Sequence, residues 1–100
     1  MLMNYKEVTI DLTGCKHLLE LYKIIKEALD IPQFYGDNLD ALWDIMREPC
    51  KSGFYVHIKG VKTMPKELQE YFHKIHIIFD RNKYHQAVRF GYYFDYEIID

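Results

Sequence analysis

One hundred residues, 49 % hydrophobic and 16 % aromatic, suffice for a single domain with its own core and are too apolar for a disordered chain. A net charge of −2 with a pI near 6.2 excludes generic affinity for nucleic acid or an anionic membrane. The charge is unevenly spread: residues 33–48 carry −3 through Asp37, Asp40, Asp44 and Glu48 against Arg47, and the remainder is +1.

The first element in chain order is a strand over Tyr5 to Leu12, where Tyr5, Val8, Ile10 and Leu12 interleave with Glu7, Thr9 and Asp11. Thr13 offers a cap for a helix whose apolar residues, Leu18, Leu21, Tyr22, Ile25, Ala28 and Leu29, recur at helical spacing. Asp30-Ile31-Pro32 ends it, because proline restricts the residue before it. Gly36 punctuates a loop, and a second helix runs from about Asn38 to Glu48, where Pro49 stops it.

Gly53 to Lys59 reads as a second strand, rich in β-branched and aromatic residues. Pro65 suits the first turn of a third helix with the stripe Leu68, Tyr71, Phe72, Ile75, Ile78 and Phe79, kinked near His73. Val88 to Phe94 alternates as a third strand, leaving 95–100 as a strand extension or tail. The order β-α-α-β-α-β requires helical crossovers, so the expected fold class is α/β: one domain over 1–100, a small parallel sheet with helices packed on it.

On the second helix, Leu39, Leu42, Trp43 and Met46 share an arc of about 100°. The four acids fall opposite, with Asp40 and Asp44 as i,i+4 neighbours roughly 5–6 Å apart at Cβ. Asp37 and Asp40 gain from the positive end of the helix dipole. Asp44 gains little, and aspartate is a poor mid-helix residue. Such a face is either simply solvated or a surface matched to arginines and lysines of a partner. Trp43 is either core or an interface anchor. Asn38 caps the helix, and Phe34 and Tyr35 either pack on the core or stand as rigid aromatic contacts on the approach loop.

The segment Phe34-Tyr35-Gly36-Asp37-Asn38-Leu39-Asp40-Ala41-Leu42-Trp43-Asp44 closely resembles the signature of the barstar family, intracellular inhibitors of barnase-type ribonucleases. The order of elements fits that family over the whole chain, while similarity outside the motif is much weaker. The resemblance implies three parallel strands with helices, no catalysis and no cofactor. It also implies a one-to-one complex with a barnase-type extracellular ribonuclease, the inhibitor being a monomer when free. In such a complex the second helix and its preceding loop plug the nuclease active site in place of RNA phosphates. Asp40 and Asp44 match the two family aspartates that contact the basic nuclease site, Asp44 the dominant one. Phe34, Asn38, Ala41 and Trp43 match other contact positions, and Tyr35 completes the expected surface.

The chain also departs from the family pattern. Phe34 stands where the family commonly has Tyr, and Glu48-Pro49 stands where the best-known member has a Gly-Trp pair. Asp80-Arg81 lies where that member's long third helix supplies a further carboxylate, and residues 60–89 are net +3. These differences imply a nuclease with a differently charged rim, or an antitoxin-like role toward a different basic protein.

Other chemistries have thin support. His73/His76 and His76/Asp80 share helix faces only pairwise, and His57 and His85 sit elsewhere and complete no ligand set, so no metal site is expected. Ser52, the only serine, lies in no nucleophile-elbow pattern, and carboxylates on an exposed face suit binding better than acid–base catalysis. Val88 to Tyr96 loosely evokes an aromatic RNA-binding strand, but Phe90 and Gly91 are in the wrong order and the run holds one basic residue. Cys15 and Cys50 read as reduced thiols, and with no leader or bilayer-length apolar run the expected compartment is the cytoplasm.

Overall fold

The structure, a computed structural model, describes residues 5–49 and 53–99. Three strands, β1 (Lys6–Asp11), β2 (Phe54–Lys59) and β3 (Phe94–Ile98), form one parallel sheet in the order β1-β2-β3. Three α-helices connect them: α1 (Leu18–Ala28), α2 (Leu39–Met46) and α3 (Lys66–His85). The parallel α/β class and the number of strands are those the sequence predicts. Ile10, Val56, Ile58 and Phe94 point into the core, whereas Glu7, Thr9, Asp11, Lys59 and Glu97 are exposed, so the helices cover one face of the sheet.

Several expected boundaries move. Thr13 does not cap α1; it sits in a turn, its amide donating to Asp11 Oδ1 at 3.0 Å, and α1 begins only after His17. Its end is not set by Pro32 but by a Schellman turn. Ile31 N donates to Lys26 O at 2.8 Å and Asp30 N to Glu27 O at 3.5 Å, with Asp30 in the left-handed region at φ 57°. The buried Ile31 supplies the apolar contact that usually accompanies this turn. Pro65 precedes α3 as its N-cap, its carbonyl accepting from Leu68 and Gln69. The helix then runs unbroken through His73, where a kink was expected.

The largest correction concerns the third strand. Residues 86–90 are not extended but form a π-helical turn, Gln86–Phe90, that prolongs α3 and ends at Gly91 with φ 72°. Alternation at Val88 and Phe90 buries nothing, since these side chains are 65 % and 37 % exposed. The inward residues of β3 are Phe94 and Tyr96, whose rings meet Phe79 of α3 edge-on at 5.8 and 5.7 Å. A continuous aromatic strand over Val88 to Tyr96, the premise of an RNA-stacking platform, is therefore absent. Cys50 lies outside the described residues. Cys15 is buried, and that burial pushes its thiol pKa up, away from the reactive thiolate.

Candidate functional site

The short helix α2 starts as the sequence predicts. Asn38 is its N-cap, the side-chain oxygen accepting from Ala41 N at 2.8 Å. Gly36 makes room for that cap: a Cβ there would stand 2.9 Å from Asn38 Nδ2 and 3.4 Å from Ala41 Cβ. Leu42 and Met46 enter the core, Leu39 and Trp43 pack against it half-buried, and Asp40 and Asp44 face solvent.

The four acids do not act alike. Asp37 belongs to the approach loop rather than to the helix dipole, because its carboxylate lies 2.6 Å from Lys26 Nζ. Lys26 is on α1 and only 2 % exposed, and its ammonium also donates to the carbonyls of Gln33 and Tyr35. One buried cation thus gathers three points of the loop 33–37 and fixes the path of the chain into α2. Sequence reasoning missed Lys26, although it falls on the Tyr22, Ile25, Leu29 stripe of α1 where an apolar residue is expected. Glu48 lies past the end of α2, where its carbonyl is a hydrogen-bond acceptor.

What remains on the outer face is Asp40 and Asp44. Asp44 is 66 % exposed at the side chain and loosely paired with Arg47, one turn on, at 3.3 Å. Phe34 is 85 % exposed and stacks on the half-buried Tyr35 at 5.2 Å. Apart from that stacking the Phe34 ring does not pack on the core. Trp43 bridges the two behaviours sketched for it: half-buried, it packs on the core and meets His85 of α3 edge-on at 5.8 Å.

The far end of α2 is held by a polar clamp that the sequence reading did not anticipate. Gln86, fully buried, directs its Nε2 to Met46 O (2.9 Å), Glu48 O (2.7 Å) and Asn82 Oδ1 (3.2 Å). His85 Nε2 donates to Arg47 O at 3.0 Å. The carbonyls that a helix leaves open at its C-terminus are thereby satisfied by α3 and the turn after it. The signal for this was available as two polar residues, Asn82 and Gln86, continuing the Ile75, Phe79 stripe.

Rival centres are not assembled. His76 Nε2 lies 3.7 Å from Asp80 Oδ2 and edge-on to His73, but among the described residues no group of three His, Cys, Asp or Glu side chains is placed to hold a metal ion. Among the same residues no helix is long and apolar enough to cross a membrane.

Comparison with known proteins bears on what an acidic helix fixed in this way belongs to. A protein from Bacillus subtilis (strain 168) named "Putative ribonuclease inhibitor YrdF" is 39 % identical over 41 residues, 41 % of this chain and 45 % of the relative's own length. The match thus spans less than half of that relative. A family profile described as Barstar (barnase inhibitor) matches residues 5–95, which take in β1, β2, all three α-helices and the start of β3. The chain belongs to the barstar family.

Proposed function

We propose that this protein is a ribonuclease inhibitor that occludes the basic active site of a barnase-type nuclease with α2 and the loop before it. The observation that carries the reading is the outer face of the 34–44 segment. Asp40 and Asp44 on α2 and the 85 %-exposed Phe34 on the loop before it stand free of the core, and the buried Lys26 fixes the path of that loop. Family membership supports an inhibitor-like role; the mode of occlusion, the partner and one-to-one stoichiometry are the proposal.

In this reading Asp44 enters the cationic centre where substrate phosphate would sit, with Asp40 beside it. Phe34, Tyr35, Asn38, Ala41 and Trp43 supply shape and hydrogen bonding around the two acids. The chain needs no cofactor and performs no catalysis, and its place of action is the cytoplasm. A preformed loop lowers the ordering cost of association. Acidic complementarity raises the on-rate toward a basic nuclease and makes it fall with salt.

The test is titration of barnase-type ribonucleases with the native chain and with Asp44→Ala. Stoichiometric inhibition by the native chain, lost or strongly weakened in the variant, supports the reading. No inhibition by the native chain at micromolar concentration removes it. An antitoxin-like role toward a different basic protein then has its own signature: capture of a non-nuclease partner that depends on Asp40 and Asp44.

A further inference from the structure

Beside the acidic face of α2 lies a surface of opposite character. From Trp43 an aromatic ridge crosses to α3 and onto the π-helical turn: His85 meets Phe90 edge-on at 5.5 Å, and Phe90 meets Tyr92 at 6.2 Å. Val88 in the same turn is 65 % exposed and Phe90 is 37 % exposed. Arg81 stands one helical turn before His85 on the same side of α3, and Arg89 lies in the turn itself. Both are exposed, and among the described residues neither forms an ion pair.

Three features separate this ridge from incidental surface. A π-helical turn is rare and is frequently found at functional sites. This one is locked to α2 by Gln86 and His85, so the ridge and the acidic face form one rigid unit. Exposed aromatic and arginine side chains around a tryptophan are also the composition of interface centres rather than of solvated rims.

We infer that the Trp43–His85–Phe90 ridge is a second half of the partner-binding surface and determines which nuclease is accepted. This rests on the proposed function. The occupant is the rim of the same ribonuclease whose basic centre receives Asp40 and Asp44. It offers an apolar side chain to Phe90 and Val88, and a carboxylate to Arg81 or Arg89. Charge decides this point. A partner uniformly basic over the contact would meet Arg81 and Arg89 as like charges, a penalty that discriminates against it. A partner basic at its centre and acidic and apolar at its rim satisfies both halves at once.

The experiment uses the full chain against a panel of barnase-type ribonucleases, with dissociation rates measured for native, Asp44→Ala, Phe90→Ala, Val88→Asp and Arg81→Glu. Phe90→Ala, Val88→Asp and Arg81→Glu are each expected to raise the dissociation rate about tenfold or more. Amide exchange over residues 86–91 is expected to slow in the complex. Val88→Asp guards against a folding artefact at Phe90, since Val88 is the more exposed of the two. Unchanged dissociation for all three and unchanged exchange, with Asp44→Ala still weakened, would overturn the ridge and leave the proposed function standing. Tighter binding of Arg81→Glu overturns the acidic rim. No inhibition by the native chain of any panel member overturns both readings.

Discussion

Lys26 Nζ and Asp37 Oδ1 stand 2.6 Å apart, with the lysine side chain 3 % exposed and the aspartate 40 %. The pair is asymmetric, and the asymmetry sets what each deletion does. Removing the carboxylate leaves an ammonium inside the fold with only two carbonyls to satisfy it. Removing the ammonium leaves a carboxylate that water already reaches. Asp37→Ala is therefore expected to cost about 2–3 kcal/mol and Lys26→Met less, about 1–2 kcal/mol, because a methionine fills the same volume without a charge. Urea denaturation of both variants checks the order; a larger loss in Lys26→Met would contradict it.

Asp44 and Arg47 make a different kind of pair. Both side chains are more than half exposed, so the 3.3 Å contact contributes no more than about 0.5 kcal/mol to stability. It does compete with any partner cation for the same carboxylate. Arg47→Ala is expected to leave the urea midpoint nearly unchanged and to speed association with a basic nuclease at low salt. Asp44→Ala is expected to raise the dissociation constant by about a hundredfold or more, a magnitude carried over from barnase–barstar itself, which is the source of the relevant charge-pair energies. Trp43, the single tryptophan and half-buried next to this face, gives the signal. Stopped-flow fluorescence separates the on-rate effect from the off-rate effect.

The start of α2 was legible because its determinants are local: an amide side chain at the cap and a glycine two residues before it; its end was not, since the helix stops at Met46, ahead of the expected Glu48-Pro49. The acids were legible as a group but not as individuals. Asp37 was assigned to the helix dipole because nothing in its neighbourhood hints at Lys26, eleven residues upstream on another helix. The π-helical turn was misread for a related reason. Val88, Phe90 and Phe94 alternate in sequence, yet Gln86, at the start of the turn, reaches across to the carbonyls of Met46 and Glu48 and to Asn82 Oδ1, a tertiary demand that overrides local pattern. The parallel class followed from element order, while the central position of β2 depends on how the crossovers pack.

The open face of the sheet carries a prediction about pH. His57 Nδ1 donates to Glu97 Oε2 at 2.7 Å and Nε2 donates to Glu7 Oε1 at 2.9 Å. Carboxylates only accept, so holding both contacts requires the doubly protonated ring. The hydrogen bonds to Glu7 and then Glu97 raise the His57 pKa above its ordinary value. A raised folded-state value means that the stabilisation is complete below the unfolded value of about 6.5 and fades as pH rises through the folded one. His57→Gln is expected to flatten that decline above about pH 6.5. Urea titrations at several pH values check it; an unchanged slope in the variant would assign the decline to another group.

Gln86 holds the C-terminal end of α2. Its amide reaches two main-chain carbonyls, Met46 O and Glu48 O, at the one end of α2 that has no basic residue in its last turn. Gln86→Leu fits the volume but leaves the buried Met46 carbonyl and Asn82 Oδ1, and the part-buried Glu48 carbonyl, without this donor, at a cost of about 2 kcal/mol. The consequence is directional. The N-terminal end of α2, held by Asn38 and through the loop by Lys26, stays in place, while the last turn frays. Amide exchange should therefore accelerate at residues 45–48 more than at 41–43, and Trp43 should become more accessible to acrylamide quenching as its contact with His85 loosens. Uniform acceleration along α2 would mean that the clamp stabilises the domain as a whole rather than this end of the helix.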